Sequence, residues 1–265
     1  MPLFGLVEEN LRAAMRCYSF ASVEGEIREL PGVTIASCGM NYPVFNSAML
    51  TSPVEGGEQE LDQRIALAAV HFKARMLGWS FWLCEDLISP GLRCMVAQIF
   101  RKRNMEPIAQ PPGMLAAKLE PSTRQLPCLN CRRVNDDRTR FDFSDVASVV
   151  FSLPFATSTK IYGPESTWKS GMAGYVGYLN GKPVSIVATI ATGRAIGIYS
   201  LGTLPQHQGY GLGETLIRHA VAESQRENGL DTVVLQATKE GFGLYVRMGF
   251  RIVTSFAVYL REGCD

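Results

Sequence analysis

Three glycines at alternate positions, Gly209, Gly211 and Gly213, stand between an apolar run and an amphipathic one. The first run, Ile196–Leu204, reads as a strand closed by Pro205. Leu212, Leu216, Ile217, Ala220 and Val221 then recur on one helical face. That spacing predicts a helix from about Gly209 to Asn228, stopped by Gly229. Glycines at its start leave the first turn free of bulky side chains. Main-chain N–H groups without intrahelical acceptors can then approach a ligand, and the positive end of the helix dipole favours an anion. The chemistry this predicts is the cradling of a pyrophosphate.

Two kinds of protein use such a cradle. A dinucleotide-binding fold requires G-x-G-x-x-G after its first strand and an acid at the end of the next. Here the spacing is G-x-G-x-G, it comes late in the chain, and the following strand, Thr232–Ala237, ends in Gln236-Ala237-Thr238 with no acid. The pattern instead resembles the GCN5-related N-acetyltransferases, the GNAT family, whose coenzyme A signature is [Gln/Arg]-x-x-Gly-x-[Gly/Ala] shortly after a proline. Pro205 followed by Gln208-x-x-Gly211-x-Gly213 matches it, and Leu244-Tyr245-x-x-Met248-Gly249-Phe250 is similar to a second family element. The resemblance spans residues 125–262.

The resemblance implies an α/β sandwich around a mixed, mostly antiparallel sheet, with acetyl-CoA as co-substrate. It implies an N-acetyltransferase whose acceptor is a small amine, an amino acid or a peptide N-terminus, attacking directly in a ternary complex. By the same resemblance Gln208, Gly209, Tyr210, Gly211, Leu212, Gly213 and Glu214 surround the pyrophosphate. Leu201, Gly202 and Thr203 line the pantetheine arm, along a strand that splays from its neighbour to admit the acetyl end. Gly202 would let the donor's backbone come close. Thr238 stands where the family carries an asparagine, and Tyr245 would protonate the departing thiolate. Many family members also carry an acid on the strand before the cradle. Ala195–Thr203 has none, so water, an amine arriving neutral, or a residue from elsewhere must manage the acceptor's proton; Tyr199 and His207 are weak candidates. The missing acid also leaves open a coenzyme A-binding sensor or interaction module without catalysis.

Positioning these residues requires a full α/β domain, and the chain has length for two. Its 265 residues carry a formal net charge of +1 and no dense basic arm, which argues against nucleic acid as a partner. No apolar run is long enough to span a membrane, and Met1–Phe20 mixes Glu8, Glu9 and Arg12 into an amphipathic pattern unlike a secretory leader. Seven cysteines, an odd count, suit free thiols in a reducing cytoplasm. Cys128-x-x-Cys131 lacks the second pair a zinc site requires, so no metal is expected. A homodimer is compatible with this composition.

Five prolines between Met105 and Pro127 predict a break in regular structure and a junction, separating residues 1–120 from 125–265. The halves read as divergent copies, the alternative being an unrelated α/β domain in the first half. Val33–Cys38 and Val44–Thr51 are expected strands, followed by Pro53, a helix over Glu58–Leu77 and the run Trp79–Cys84. Glu55, Glu58 and Glu60 crowd that helix start and would repel a phosphate. The N-terminal copy is therefore expected to be degenerate and without a coenzyme A cradle. In the C-terminal copy the expected elements are a strand over Leu129–Val134 and a helix over Phe141–Leu153. A hairpin turning at Asn180-Gly181, the cradle unit, a short helix over Phe242–Met248 and a last strand over Phe250–Leu260 complete it. Trp168, Tyr162 and Phe155 are open to two readings, acceptor-pocket wall or core.

Overall fold

A computed structural model describes residues 2–263. The N-terminal elements are α1 (Leu3–Ser19), β1 (Glu26–Leu30), β2 (Val33–Ser37), β3 (Asn46–Leu50), α2 (Gly57–Lys73) and β4 (Trp79–Cys84). After them come α3 (Pro90–Arg93), α4 (Val96–Arg101), β5 (Glu106–Ala109) and β6 (Pro112–Ala116). The C-terminal elements begin with β7 (Asn130–Arg133), α5 (Asp137–Val150), α6 (Phe155–Tyr162) and α7 (Glu165–Lys169). They continue through β8 (Met172–Leu179), β9 (Lys182–Thr192), β10 (Ala195–Thr203), α8 (Leu212–Asn228), β11 (Val233–Gln236), α9 (Lys239–Arg247) and β12 (Arg251–Arg261).

All twelve strands among the described residues belong to one mixed sheet, ordered β1-β2-β3-β4-β12-β6-β11-β10-β9-β8-β7, with β5 also on β12. Its ladders are antiparallel except two, β3 with β4 and β10 with β11. Each parallel pair is bridged by a helix, α2 or α8, as parallel neighbours require. The order β1-β2-β3-β4 thus repeats as β8-β9-β10-β11, which is the copy relation expected from the sequence.

The centre departs from that expectation. Residues 106–116 run antiparallel to 251–261 as one long ribbon: β5 pairs the second half of β12, and β6 pairs its first half. The other edge of β6 then takes β11, while the second half of β12 takes β4. Each half of the sheet is completed by a strand from the other half of the chain. The proline-rich stretch read as a structural break therefore contains two strands, one of them central. Its prolines fit because they sit where no amide donor is needed. Pro112 opens β6, and the carbonyls of Pro111 and Pro112 accept from Phe256 and Ala237.

Elsewhere local chemistry explains the elements. Asn180 and Gly181 both have positive φ, 51° and 77°, the geometry of a type I′ turn between β8 and β9. Asp136 caps α5 through a capping box with Thr139, so the helix starts four residues before the apolar spacing indicated. The α8 stripe Leu212, Leu216, Ile217, Ala220 and Val221 is buried against the sheet face that α9 also covers. Full burial of each large aliphatic side chain contributes about 2 kcal/mol. On the opposite face, α1 packs across both halves. Asn10 donates to the carbonyls of Ile190 and Ala195 at 3.0 and 3.2 Å, and Tyr199 donates to its Oδ1 at 2.7 Å.

Candidate active site

β10 and β11 are paired only at Ile196–Val233 and Gly197–Val234, although β10 continues to Thr203 and β11 to Gln236. Beyond Gly197 the strands part. On its other edge β10 carries a bulge: Tyr199 faces Ala188 and Gly202 faces Ile186, so three steps along β10 match two along β9. Ser200 sits in the bulge with φ +47°, a left-handed conformation that costs a non-glycine residue energy. Its hydroxyl meets the phenol of Tyr18 at 2.7 Å and that of Tyr162 at 3.1 Å. Tyr18 comes from α1, so the N-terminal half reaches the mouth of the gap. Nothing in the sequence signals Ser200; the bulge depends on the long-range pairing of β9 with β10.

The chain leaves β10 through a single turn at Pro205–His207 and enters α8 at Leu212 with Gly211 as N-cap, three residues later than predicted. Gly209 and Gly211 hold φ of +82° and +88°, which side chains oppose. Among the described residues, no N–H from Gly209 to Gly213 has a backbone or side-chain acceptor. A Cβ on Gly209 would meet nothing within 4 Å, and one on Gly213 would come within 3.3 Å of Thr203 Oγ1. The residues thus fit a phosphate ligand: bare donors, open space and a helix dipole at one place.

The other residues around the cradle have varied surroundings. Tyr210 is exposed, whereas Leu212 is buried. Gln208 donates from Nε2 to the carbonyl of Thr203 at 3.0 Å, tying the cradle back to β10. Thr203 Oγ1 meets Ser185 Oγ at 2.9 Å, and Leu201 packs against the α8 face. Gly202 has a different local reason from the one expected: its added Cβ would strike Val150 of α5 at 2.4 Å. Thr238 caps α9, its hydroxyl accepting from the Gly241 amide at 3.2 Å.

Glu214 is buried in the first turn of α8, where Arg218 donates to it from Nε and Nη2. Burial works against its charge, but Arg218, the Ser122 hydroxyl and Arg124 outweigh that and hold its carboxyl below the ordinary value. Arg124 belongs to the segment between β6 and β7, which crosses the head of α8. Arg218 also donates to Glu120 O at 2.7 Å, and Thr215 donates to Pro127 O at 3.3 Å. The sequence marked this segment only as a junction.

Tyr245 lies on α9, in the same apolar cluster as Leu216 and Ile217 of α8. It is 7 % exposed, and burial pushes its phenol up to about 12. Tyr199, the alternative candidate for proton chemistry, is pushed well above the usual phenol range by burial. Tyr162 is buried in the core and Trp168 packs against it. Trp168 fills the space over Gly174 and donates from Nε1 to Tyr162 O at 2.9 Å, while Phe155 is exposed beside Phe141.

The N-terminal counterpart of the cradle is filled by the chain itself. Glu60 accepts from the amides of Glu55 and Gly56 at 2.9 and 2.5 Å, and Arg64 grips Glu60 and the carbonyls of Ser52, Pro53 and Gly32. An internal carboxylate occupies donors that the C-terminal half leaves bare. Cys128 and Cys131 are free thiols, and no group of three or more His, Cys, Asp or Glu side chains able to hold a metal occurs among the described residues. No helix among them is long and apolar enough to cross a membrane.

The family model of the acetyltransferase (GNAT) domain matches residues 171–252, from the start of β8 into β12. No curated protein matches the sequence. A GCN5-related N-acetyltransferase from Kribbella flavida superposes over 100% of this chain and 97% of its own, with a TM-score of 0.74 at 17% identity. One from Sphaerobacter thermophilus covers 88% of this chain and 78% of its own, with a TM-score of 0.61 at 15% identity. A tandem GNAT protein from the clavulanic acid biosynthesis pathway covers 97% and 96%, with a TM-score of 0.53 at 12% identity. Residues 171–252 therefore match the GNAT acetyltransferase domain, and the chain as a whole has the fold seen in these N-acetyltransferases.

Proposed function

We propose that the chain is an acetyl-CoA-dependent N-acetyltransferase for a small amine, an amino acid or a peptide N-terminus. Its donor would lie between the parting strands β10 and β11, with its phosphates at the head of α8. The observation that carries this reading is the run of acceptorless amides from Gly209 to Gly213, placed where those two strands separate. When bound, the donor supplies an acetyl group already activated as a thioester.

The chain's own residues have three tasks. Amides of Gly209, Gly211 and Gly213 take the pyrophosphate oxygens, aided by the α8 dipole. The main chain of Leu201, Gly202 and Thr203, past the last pair with β11, offers a strand edge to an extended arm. Tyr245 holds its proton at neutral pH and passes it from the phenol oxygen to the departing sulfur. A phenol near 12 is a weak acid for a thiolate whose ordinary value is about 8.5. The transfer therefore requires a sulfur that is itself desolvated, as in the water-poor cluster around Tyr245. No carboxylate stands on β10, and the Tyr199 phenol is too basic to ionise. The acceptor amine is accordingly taken up neutral and attacks directly, and the proton it sheds as the amide forms restores the Tyr245 phenol.

Release of free thiol from acetyl-CoA across a panel of amines tests the reading. Gly211→Glu should abolish donor binding, because it sets a carboxylate among the amides and forces a side chain onto a backbone at φ +88°. Undiminished binding by that variant would overturn the placement of the donor. The absence of an acid on β10 also favours a second reading, a coenzyme A-binding module. Tight acetyl-CoA binding with no thiol release on any amine would select it.

A further inference from the structure

The segment joining the two halves carries a cation to the head of α8. The guanidinium of Arg124 packs on the N-cap glycine: a Cβ on Gly211 would stand 3.2 Å from Arg124 Nη2 and 3.2 Å from Pro127 Cδ. Among the described residues the only ion pair of this side chain is a long one, 3.5 Å to Glu214 Oε2, and none of its N–H donors makes a hydrogen bond. Arg124 is not the main partner of Glu214, since Arg218 already donates to the other carboxylate oxygen through two nitrogens. Arg124 is also about half exposed, with side-chain accessibility of 45%. A half-exposed guanidinium with its fork unused, beside five acceptorless amides, has the donor geometry that two neighbouring phosphate oxygens accept. The segment that holds it is itself anchored to α8 by Arg218 and Thr215, so the cation is positioned from a fixed base.

We propose that Arg124 is a phosphate-binding residue of the donor site, adding a side-chain cation from the inter-half segment to the α8 amides at the pyrophosphate. This rests on the donor placement proposed above. Glu214 holds the guanidinium until the donor arrives, and the donor's pyrophosphate then takes up its free donors. The two halves are thereby coupled through the donor, because the segment that links them is part of its site.

Calorimetric titration of the full chain with acetyl-CoA at several salt concentrations tests this. Arg124→Ala should weaken binding about tenfold and flatten its salt dependence, with Arg124→Lys recovering part of the loss. The loss should be the same for 3′-dephospho-acetyl-CoA, since the contact is to the pyrophosphate; a loss confined to the 3′-phosphorylated donor would overturn the assignment. Arg124→Ala must also be measured in a Glu214→Gln background. A persisting loss supports direct contact. A loss that vanishes there would mean that Arg124 acts only by neutralising Glu214, and the proposal fails. Unchanged affinity and salt slope in Arg124→Ala overturn it while leaving the donor placement standing. Wild-type protein that binds no acetyl-CoA would overturn both.

Discussion

Tyr245 and Glu8 are both buried, and burial pushes both to hold protons, with different consequences. At Tyr245 the proton stays on the oxygen at neutral pH, which suits a proton donor to sulfur. Tyr245→Phe is expected to lower kcat by about a hundredfold while leaving the dissociation constant of acetyl-CoA unchanged. Steady-state kinetics beside calorimetry separate the two. At Glu8, on α1, desolvation raises the carboxyl to about 7 against the pull of Arg12. The folded chain then holds a proton that the unfolded chain has lost, so stability is full below about pH 4.5 for this group and falls as pH rises through 7. Its whole contribution is at most about 3 kcal/mol. Glu8→Gln should flatten that decline in urea melts taken between pH 5 and 8. Neither property was legible in the sequence beyond the residue types. The Leu-Tyr spacing marked Tyr245 as functional, but Glu8 read only as one charge on an amphipathic helix.

At the scale of elements, α2 and α8 show how one arrangement serves two ends. Each follows a parallel-sheet strand, starts at glycines and carries a Glu-x-x-x-Arg pair in its first turns: Glu60 with Arg64, and Glu214 with Arg218. In α2 the glutamate bends back onto the chain's own amides, and the Gly56 amide, ahead of Arg64, holds its carboxyl below the usual range. In α8 the glutamate turns inward and the amides stay free. Arg64, buried and bound to three carbonyls, organises the N-terminal version; Arg64→Ala should cost about 3 kcal/mol, read as a lowered urea midpoint. The helix stripes and the Asn180-Gly181 hairpin were legible because local spacing and turn chemistry fix them. The self-filling of α2 was half legible: its acidic start showed in the sequence, but which glutamate would reach which amide did not. The bulge at Ser200 and the approach of Arg124 were invisible, since both depend on which distant segments become neighbours.

For the whole molecule the same limit applies most strongly. The alternation of residues along β6 and β12 is compatible with any neighbour, and the prolines around β6 masked a strand of which Met114, Leu115 and Ala116 are buried. Residues 122–265 alone would lack the strand between β11 and the first half of β12. That fragment is expected to be insoluble or molten by circular dichroism and proteolysis, and addition of residues 1–121 should restore folded, donor-binding protein. A well-folded, active 122–265 fragment would contradict this dependence.

The ribbon at the centre also sets a timetable for the nascent chain. Residues 251–261 are translated after every other described strand, yet they occupy the middle of the sheet. Until they emerge from the ribosome, β4 offers a raw hydrogen-bonding edge, and so does β6, each a template for pairing with a stranger. Fast translation through residue 261, or a chaperone that shields those edges meanwhile, should therefore govern the yield of soluble protein more than the stability of the finished fold.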